Sequence, residues 1–327
     1  MNRSTTSLRR GLAALLLCAA ATAQAAFPER ALTLVAPYPP GGAADVLARM
    51  LAKKLEEQLG QTVVVENRPG AGTAIGATSV ANAKPDGYTL LLSSNSTFSL
   101  NPAINPKLTY DPVRGFEPVG MVGSVALAVL VHPAQPFANV AQLAAALKAA
   151  PDKFVYGSFG NGTSSNFAGE LFLAALGVKV THIPYKGSAP LMTDLIGGQI
   201  PISFDTVVAA GPQLKGGKIK VLAVTTAKRS AMVPDVPTLA ESGGSAFAGF
   251  DFSAWLALVA PRGLPADVKA RLEKALATLM AQPDTAERMK AAGFEAAYSP
   301  VADWVSFVNA DIARMKAVAE RAQIKPD

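Results

Sequence analysis

Apolar residues along this chain gather in two kinds of run. One kind is short and unbroken, as a strand buried on both faces requires. Such runs fall at residues 31–36, 62–65, 88–92, 154–156, 178–183, 200–204 and 219–224. The other kind returns every three or four positions, as one face of a helix does. Val46, Leu47, Met50, Leu51, Leu55 and Leu59 make such a stripe over residues 43–59, and Gly60 ends it. Further helices are expected to about residue 83, over 140–149, over 165–176 with Gly177 as the stop, over 189–196, and from 301 to about 321. Pro265 suits the first turn of another. Strands alternating with helices imply βαβ units and a largely parallel sheet.

Two such α/β units follow one another. The apolar runs 125–131 and 252–259 lie between them and read as segments crossing from one domain to the other. The expected division places 26–127 and 251–327 in one α/β domain and 128–250 in the second. Two domains joined by two crossings leave a cleft. In open α/β sheets, ligands bind beyond the carboxyl ends of the strands, and a cleft between domains can close about a hinge.

Composition narrows the partners. Half of the 327 residues are hydrophobic and 17% are charged, which suits a packed core rather than disorder. The net charge is +6, but Arg3, Arg9 and Arg10 supply half of it, and no basic stripe for a nucleic acid exists. Cys18 is the only cysteine, and His132 and His182 are the only histidines. A thiolate zinc site, a redox pair and a disulfide framework are thereby excluded, and no cofactor is expected. Residues 1–25 read as a secretory signal peptide: a basic start, an apolar stretch over 11–21, then Ala23-Gln24-Ala25. That stretch is shorter than the ~20 residues that span a bilayer. Leu17 is bulky where lipid attachment at Cys18 needs a small residue. The expectation is a soluble, monomeric periplasmic protein.

Four polar loops fall at carboxyl ends of strands. Tyr38-Pro39-Pro40-Gly41-Gly42-Ala43-Ala44-Asp45 joins the first strand to the first helix. Its glycines let a ligand approach the backbone, and the N–H groups of the first turn can hold an anion. It can equally be a tight turn with Asp45 serving the first turn. The stretch from Tyr156 to Asn166 contains Ser158, Asn161, Thr163 and Ser164. It can grip a carboxylate without an arginine, or simply cap the next helix through Thr163 or Ser164. Ser94, Asn95 and Thr97 belong to a third polar loop, 93–97, with ligand contact or solvation as its two readings. Asp205 follows an apolar run and can accept from a ligand or cap a helix near Thr206. Lys186 can pair a carboxylate or face water. The candidate ligand residues are thus Tyr38, Gly41, Gly42, Ala43, Ser94, Asn95, Thr97, Ser158, Asn161, Thr163, Ser164 and Asp205.

Enzyme signatures are sparse. The glycines of Gly70-Ala71-Gly72-Thr73-Ala74-Ile75-Gly76 are one residue too widely spaced for a dinucleotide fingerprint, and no G-x-S-x-G elbow occurs. His182 reads as a core histidine within an apolar strand, and no base stands beside Ser158 or Ser164 in the sequence as nucleophilic catalysis requires.

Several stretches together resemble one family. They are Phe27-Pro28-Glu29-Arg30, residues 37–45, residues 64–72, Pro85-Asp86-Gly87-Tyr88-Thr89-Leu90, His182-Ile183-Pro184-Tyr185-Lys186-Gly187, residues 194–199 and Pro234-Asp235-Val236-Pro237-Thr238. In this order they resemble the Bug family, the substrate-binding proteins of tripartite tricarboxylate transporters, from about Phe27 to the C-terminus. The resemblance implies a two-domain, type II-like Venus-flytrap fold of periplasmic binding proteins with two interdomain crossings. It implies a small carboxylate held by the first loop and the glycine-serine loop, with membrane transporter subunits as partners. A ligand sensor, a secreted serine hydrolase and a structural envelope protein are the alternatives. Asn166 and Gly115 depart from the family pattern, which often has histidine and aspartate there, and Asn166 is expected in the pocket.

Overall fold

The computed structural model describes residues 27–325; the expected signal peptide lies outside them. The chain runs β1 (Leu32–Ala36), α1 (Ala43–Leu59), β2 (Val63–Asn67), α2 (Ala74–Ala81), β3 (Thr89–Ser94), α3 (Asn101–Ile104) and β4 (Phe116–Val131). It continues through α4 (Val140–Ala149), β5 (Val155–Ser158), α5 (Ser164–Leu176), β6 (Thr181–Pro184), α6 (Ser188–Ile196), β7 (Ile202–Thr206), α7 (Val207–Lys215), β8 (Lys220–Val224) and α8 (Leu239–Ser242). It ends with β9 (Ser253–Pro261), α9 (Ala266–Met280), α10 (Pro283–Ala291), β10 (Phe294–Ser299) and α11 (Trp304–Ala322).

The α1 stripe does what its spacing implies. Leu47, Leu51, Leu55 and Leu59 are buried, Val46 and Met50 are half-buried, and Gly60 closes the helix at φ 73°.

Strand order is β2-β1-β3-β9-β4-β7-β5-β6, with β8 and β10 also paired to β4. The largely parallel sheet expected from the alternation holds only at the two flanks. There β1 lies parallel to β2 and β3, and β5 parallel to β6 and β7. The centre is antiparallel: β9 against β3, and β4 against β9, β7, β8 and β10. The reason is that β4 carries the chain from one flank into the other and the chain returns beside it in β9, with no crossover helix between the paired neighbours to restore parallel direction.

The 16-residue β4 belongs to both flanks. Its residues up to Ala126 pair with β9, and those from Leu127 onwards pair with β7. The run 252–259 is not itself a crossing. It falls mostly within β9, which pairs only with β3 and with the first part of β4, so the second crossing comes just before β9. At Gly123 the backbone has φ 144°, and an added Cβ would stand 2.2 Å from Glu295 O. Pairing of β10 at this point therefore requires glycine.

Buried Thr225 fastens the two crossings together. Its N–H donates to Leu127 O at 2.9 Å, and its carbonyl accepts from Phe252 N at 2.9 Å. Its hydroxyl lies 2.7 Å from Phe252 O and accepts from Leu127 N at 3.2 Å. Valine fills the same volume but leaves these buried backbone groups short of a partner. Thr225→Val is expected to lower stability by about 1–3 kcal/mol in urea unfolding, with the same denaturant slope.

Candidate functional site

All six parallel strands aim their carboxyl ends at the space between the flanks. After β1 the chain turns through residues 37–42 into α1. Asp45, buried in the first turn, organises this loop by accepting from Gly41 N at 3.0 Å, Asn67 Nδ2 at 2.9 Å and Arg49 Nε at 3.1 Å. Burial pushes its carboxyl up, but Arg49, the Gly41 N–H and Asn67 together hold it below the ordinary aspartate value. Asn67 Nδ2 also donates to Tyr38 O at 3.0 Å. The loop is thus braced by Asp45 and also faces the cleft, so its two readings coexist. Gly42 caps α1 without a side-chain bond, and the first intrahelical bond runs from Val46 N to Gly42 O. The N–H groups of Ala43 and Ala44 precede it and lack intrahelical acceptors.

Three more helices begin at the same place. α5 starts at Ser164, α6 at Ser188 after the uncapped Gly187, and α7 at Val207 after Thr206. With α1 they bound an inner chamber of about 40 Å³. Tyr38, Gly42, Ala43, Ala44, Ser94, Ser164, Gly187, Ser188, Asp205 and Thr206 line it, above an apolar floor of Val125, Ala254 and Leu256. Tyr38 OH lies 2.7 Å from Ser94 Oγ. No lysine or arginine lines the chamber. Each helix start carries roughly half a positive charge, so four of them supply about two, against the single carboxyl of Asp205.

Asp205 lies inside β7 rather than after it, and no part of it is exposed. Its Oδ1 accepts from Thr206 N at 2.7 Å, and its Oδ2 accepts from Ser188 Oγ. Burial pushes the carboxyl up to about 6, against the downward pull of those bonds. The helix cap is Thr206, whose Oγ1 accepts from Ala209 N.

An outer chamber of about 480 Å³ adjoins the inner one. The two share Tyr38, Pro39, Phe159 and Gly187 as walls. Residues 69–73, Asn161, Thr163, Tyr185 and Lys186 complete the outer one.

The sequence candidates divide accordingly. Tyr38, Gly42, Ala43, Ser94, Ser164 and Asp205 meet in the inner chamber, and Asn161 and Thr163 line the outer one. Gly41, Asn95, Thr97 and Ser158 line neither. Residues 93–97 are not a solvated loop: they end β3 and enter a buried π-helical turn over 96–100. There Asn95 Nδ2 donates to Ser253 O, and Thr97 bonds to Ser93 and Thr73. Two of the candidate hydroxyls bond within their own loop. Thr163 Oγ1 donates to Gly160 O, and Ser158 Oγ lies 3.2 Å from both the N and the O of Gly160. Ser164 offers its backbone across the cleft, where its N–H donates to Ser96 Oγ at 3.0 Å.

Two sequence readings are overturned. His182 is not a core residue: β6 is an edge strand, and the half-buried ring stacks on Tyr156 at 4.8 Å. Its Nε2 lies 2.7 Å from Ser158 Oγ, so a base does stand beside that serine. Parallel pairing of β5 with β6 brings the two together, which linear spacing hides. Asn166 is buried outside both chambers, with its Nδ2 donating to Tyr156 OH and its Oδ1 accepting from Gly162 N.

Gly187, Ser188 and Thr206 also line the inner chamber and are not among the sequence candidates. The strand–glycine–helix pattern at Lys186-Gly187-Ser188, the same as at the first loop, is the signal that marks two of them. Among the described residues no cluster of His, Cys, Asp or Glu is disposed to hold a metal ion.

A family model described as the tripartite tricarboxylate transporter family receptor matches residues 47–324. The structure of the periplasmic binding protein BugD is similar, at 36% identity and TM-score 0.85, covering 91% of this chain and 99% of that one. R. palustris Rpa4515 with adipate is 34% identical with TM-score 0.87, over 92% of this chain and 100% of that one. MatC from Rhodopseudomonas palustris with bound malate is 32% identical with TM-score 0.81, over 89% and 99%.

The Asp205 environment sets a pH signature. A carboxyl whose folded-state pKa is raised from 3.8 to about 6 keeps its proton where the unfolded chain has lost it. It therefore costs stability progressively as pH rises through that window, by roughly 1.4 kcal/mol per pH unit. Asp205→Asn removes this cost. The stability of the variant relative to the parent is expected to rise between pH 4 and pH 6 and then level off in urea titrations.

Proposed function

The chain belongs to the tripartite tricarboxylate transporter receptor family of periplasmic solute-binding proteins, and from that premise we propose that its inner chamber captures a small organic acid through a carboxylate. The observation that carries this reading is the convergence of four helix starts on a chamber without a cationic side chain. Fixed N–H dipoles replace the water shell of an anion and leave no charge buried without compensation. Micromolar affinity needs about 8 kcal/mol. A few charge-assisted bonds at about 1.5–3 kcal/mol each, less the cost of ordering, reach that value. Two relatives similar along nearly their full length hold adipate and malate, both dicarboxylates.

In this reading residues 26–127 with 251–327 form one lobe and 128–250 the other. The lobes close on the acid, and the closed form delivers it to membrane subunits of a tripartite tricarboxylate-type transporter. Contacts of one flank with the other support closure: an added Cβ at Gly42 would lie 3.8 Å from Ser188 Cβ, and one at Gly187 would lie 2.5 Å from the Pro39 ring. Among the described residues no helix is long and apolar enough to cross a membrane, which suits a partner that docks on such subunits. The Ser158–His182 pair does not favour a hydrolase, because Ser158 has no exposed surface and neither residue lines a chamber.

Mass spectrometry of small molecules released from gently purified protein, followed by calorimetry with the acids found and with adipate and malate, tests the reading. Stoichiometric binding of a carboxylic acid is the expected result; a panel of acids that leaves the protein unmoved overturns it. Gly187→Ala is expected to weaken the bound acid at least about tenfold. Its φ of 110° disfavours a side chain, and the added Cβ strikes Pro39 across the cleft.

A further inference from the structure

We propose that α11 and residues 323–325 form a strap that holds the two flanks together and slows the release of a bound acid. The proposal rests on the carboxylate reading only for the molecule retained; the strap itself stands on contacts within the chain.

A buried carboxyl fastens the helix to the first flank. Oδ2 of Asp311 accepts from Ser99 Oγ and from Trp255 Nε1 at 3.1 Å, and Oδ1 accepts from Arg314 Nη2 at 2.7 Å. Trp304, Val308, Met315 and Val318 are buried along the same helix. Ser99 belongs to the buried turn over 96–100, as does Ser96, whose Oγ accepts from Ser164 N.

The same helix lies against α5, on the other flank. Its end reaches further. Ile324 N donates to Ala319 O at 2.9 Å and Gln323 N to Glu320 O at 3.3 Å, the pair of bonds that turns a chain out of a helix through one left-handed residue. Glycine is the common occupant of that position, because a side chain is strained there. Here the residue is Gln323, at φ 56°, and its Oε1 accepts from Lys179 Nζ, between α5 and β6. The turn also packs half-buried Ile324 against the main apolar core. It brings Lys325 O to 3.3 Å from Asn161 Nδ2, which donates to it. Asn161 lines the outer chamber and lies on the loop that leads into α5.

The crossings tie the flanks together at Thr225, and the strap ties them again through different residues. Parting the flanks must break the Lys179 and Asn161 bonds or draw α11 away from Ser99. Hydrogen bonds of exposed groups contribute little each, so the strap slows opening rather than preventing it.

Two variants test this: Gln323→Gly, which keeps the turn and removes the Lys179 bond, and a chain ending at Ala322. Gln323 is changed rather than Lys179 because Lys179 also acts on the Glu170 carboxyl. Cys18 is the only cysteine of the chain, so Lys53→Cys on α1 and Thr193→Cys on α6, both exposed, give each flank of the chain from residue 26 onwards a single spin label. The distance between the labels, measured without acid, is expected to lengthen in both variants. Release of adipate or malate, followed by stopped-flow tryptophan fluorescence, is expected to quicken about twofold in Gln323→Gly and roughly three- to tenfold in the shortened chain. The urea midpoint of Gln323→Gly is expected to stay level or rise, since glycine suits φ 56°. An unchanged distance or an unchanged release rate in the shortened chain overturns the strap, as does a Gln323→Gly chain that differs from the parent only in its urea midpoint. Failure of both acids to bind the parent counts against the carboxylate reading and leaves the strap to be decided by the label distance.

Discussion

The N–H groups in the first turn of a helix have no acceptor within that helix, and nearly everything at this cleft follows from where four such turns are pointed. A surface helix can leave these donors to water. Here four helices start around one chamber, so their partial charges add above an apolar floor, with the Ser164 N–H already taken by Ser96 Oγ and the Ala209 N–H by Thr206 Oγ1. The direction of the strands makes this possible. Each parallel strand on either flank runs towards the cleft, so each following helix begins there. The antiparallel centre, formed by β4 and β9, sets the two flanks end to end across that space.

Such an arrangement has to be held in place without side chains that fill the chamber. The chain solves this with braces behind the loops. Asp45 gathers Gly41, Asn67 and Arg49 behind the first loop, and Asp205 ties Ser188 to Thr206 behind two of the helix starts. The hydroxyls of Ser158, Thr163 and Ser165 bond to nearby backbone and fix the second loop. Where the flanks meet, glycine takes the place of a side chain, as at Gly42 and Gly187. Thr225 joins the two crossings through its backbone and hydroxyl bonds to Leu127 and Phe252.

Local patterns were legible and long-range pairings were not. The α1 stripe, the strand runs and the first loop could be read because periodicity and turn chemistry are local. Half of the candidate ligand residues meet in the inner chamber. The contacts that the sequence does not reveal share a cause. Ser158 and His182 are far apart in sequence and become neighbours only through the pairing of β5 with β6. Thr97 is as polar as any loop residue, yet it is satisfied by Thr73 and Ser93 in a buried turn, and composition cannot tell solvation from internal pairing. β10 has a weak apolar pattern because its side chains are mostly exposed.

Asp205 is the residue whose presence most needs explaining, since a fully buried carboxyl carries a desolvation cost. Its position accounts for it. Ser188 begins α6 and Thr206 caps α7, and the two oxygens of one carboxyl reach both, so the acid sets the relative position of two helix starts. An asparagine has only one acceptor oxygen and cannot reproduce that pair of bonds without reversing the Ser188 hydroxyl. The four converging dipoles lower the cost of the buried charge when no ligand is present, and burial holds the carboxyl near the point where it takes a proton. Geometry and charge thus place opposite demands on this position, and a carboxyl that sheds its charge at modest cost meets both.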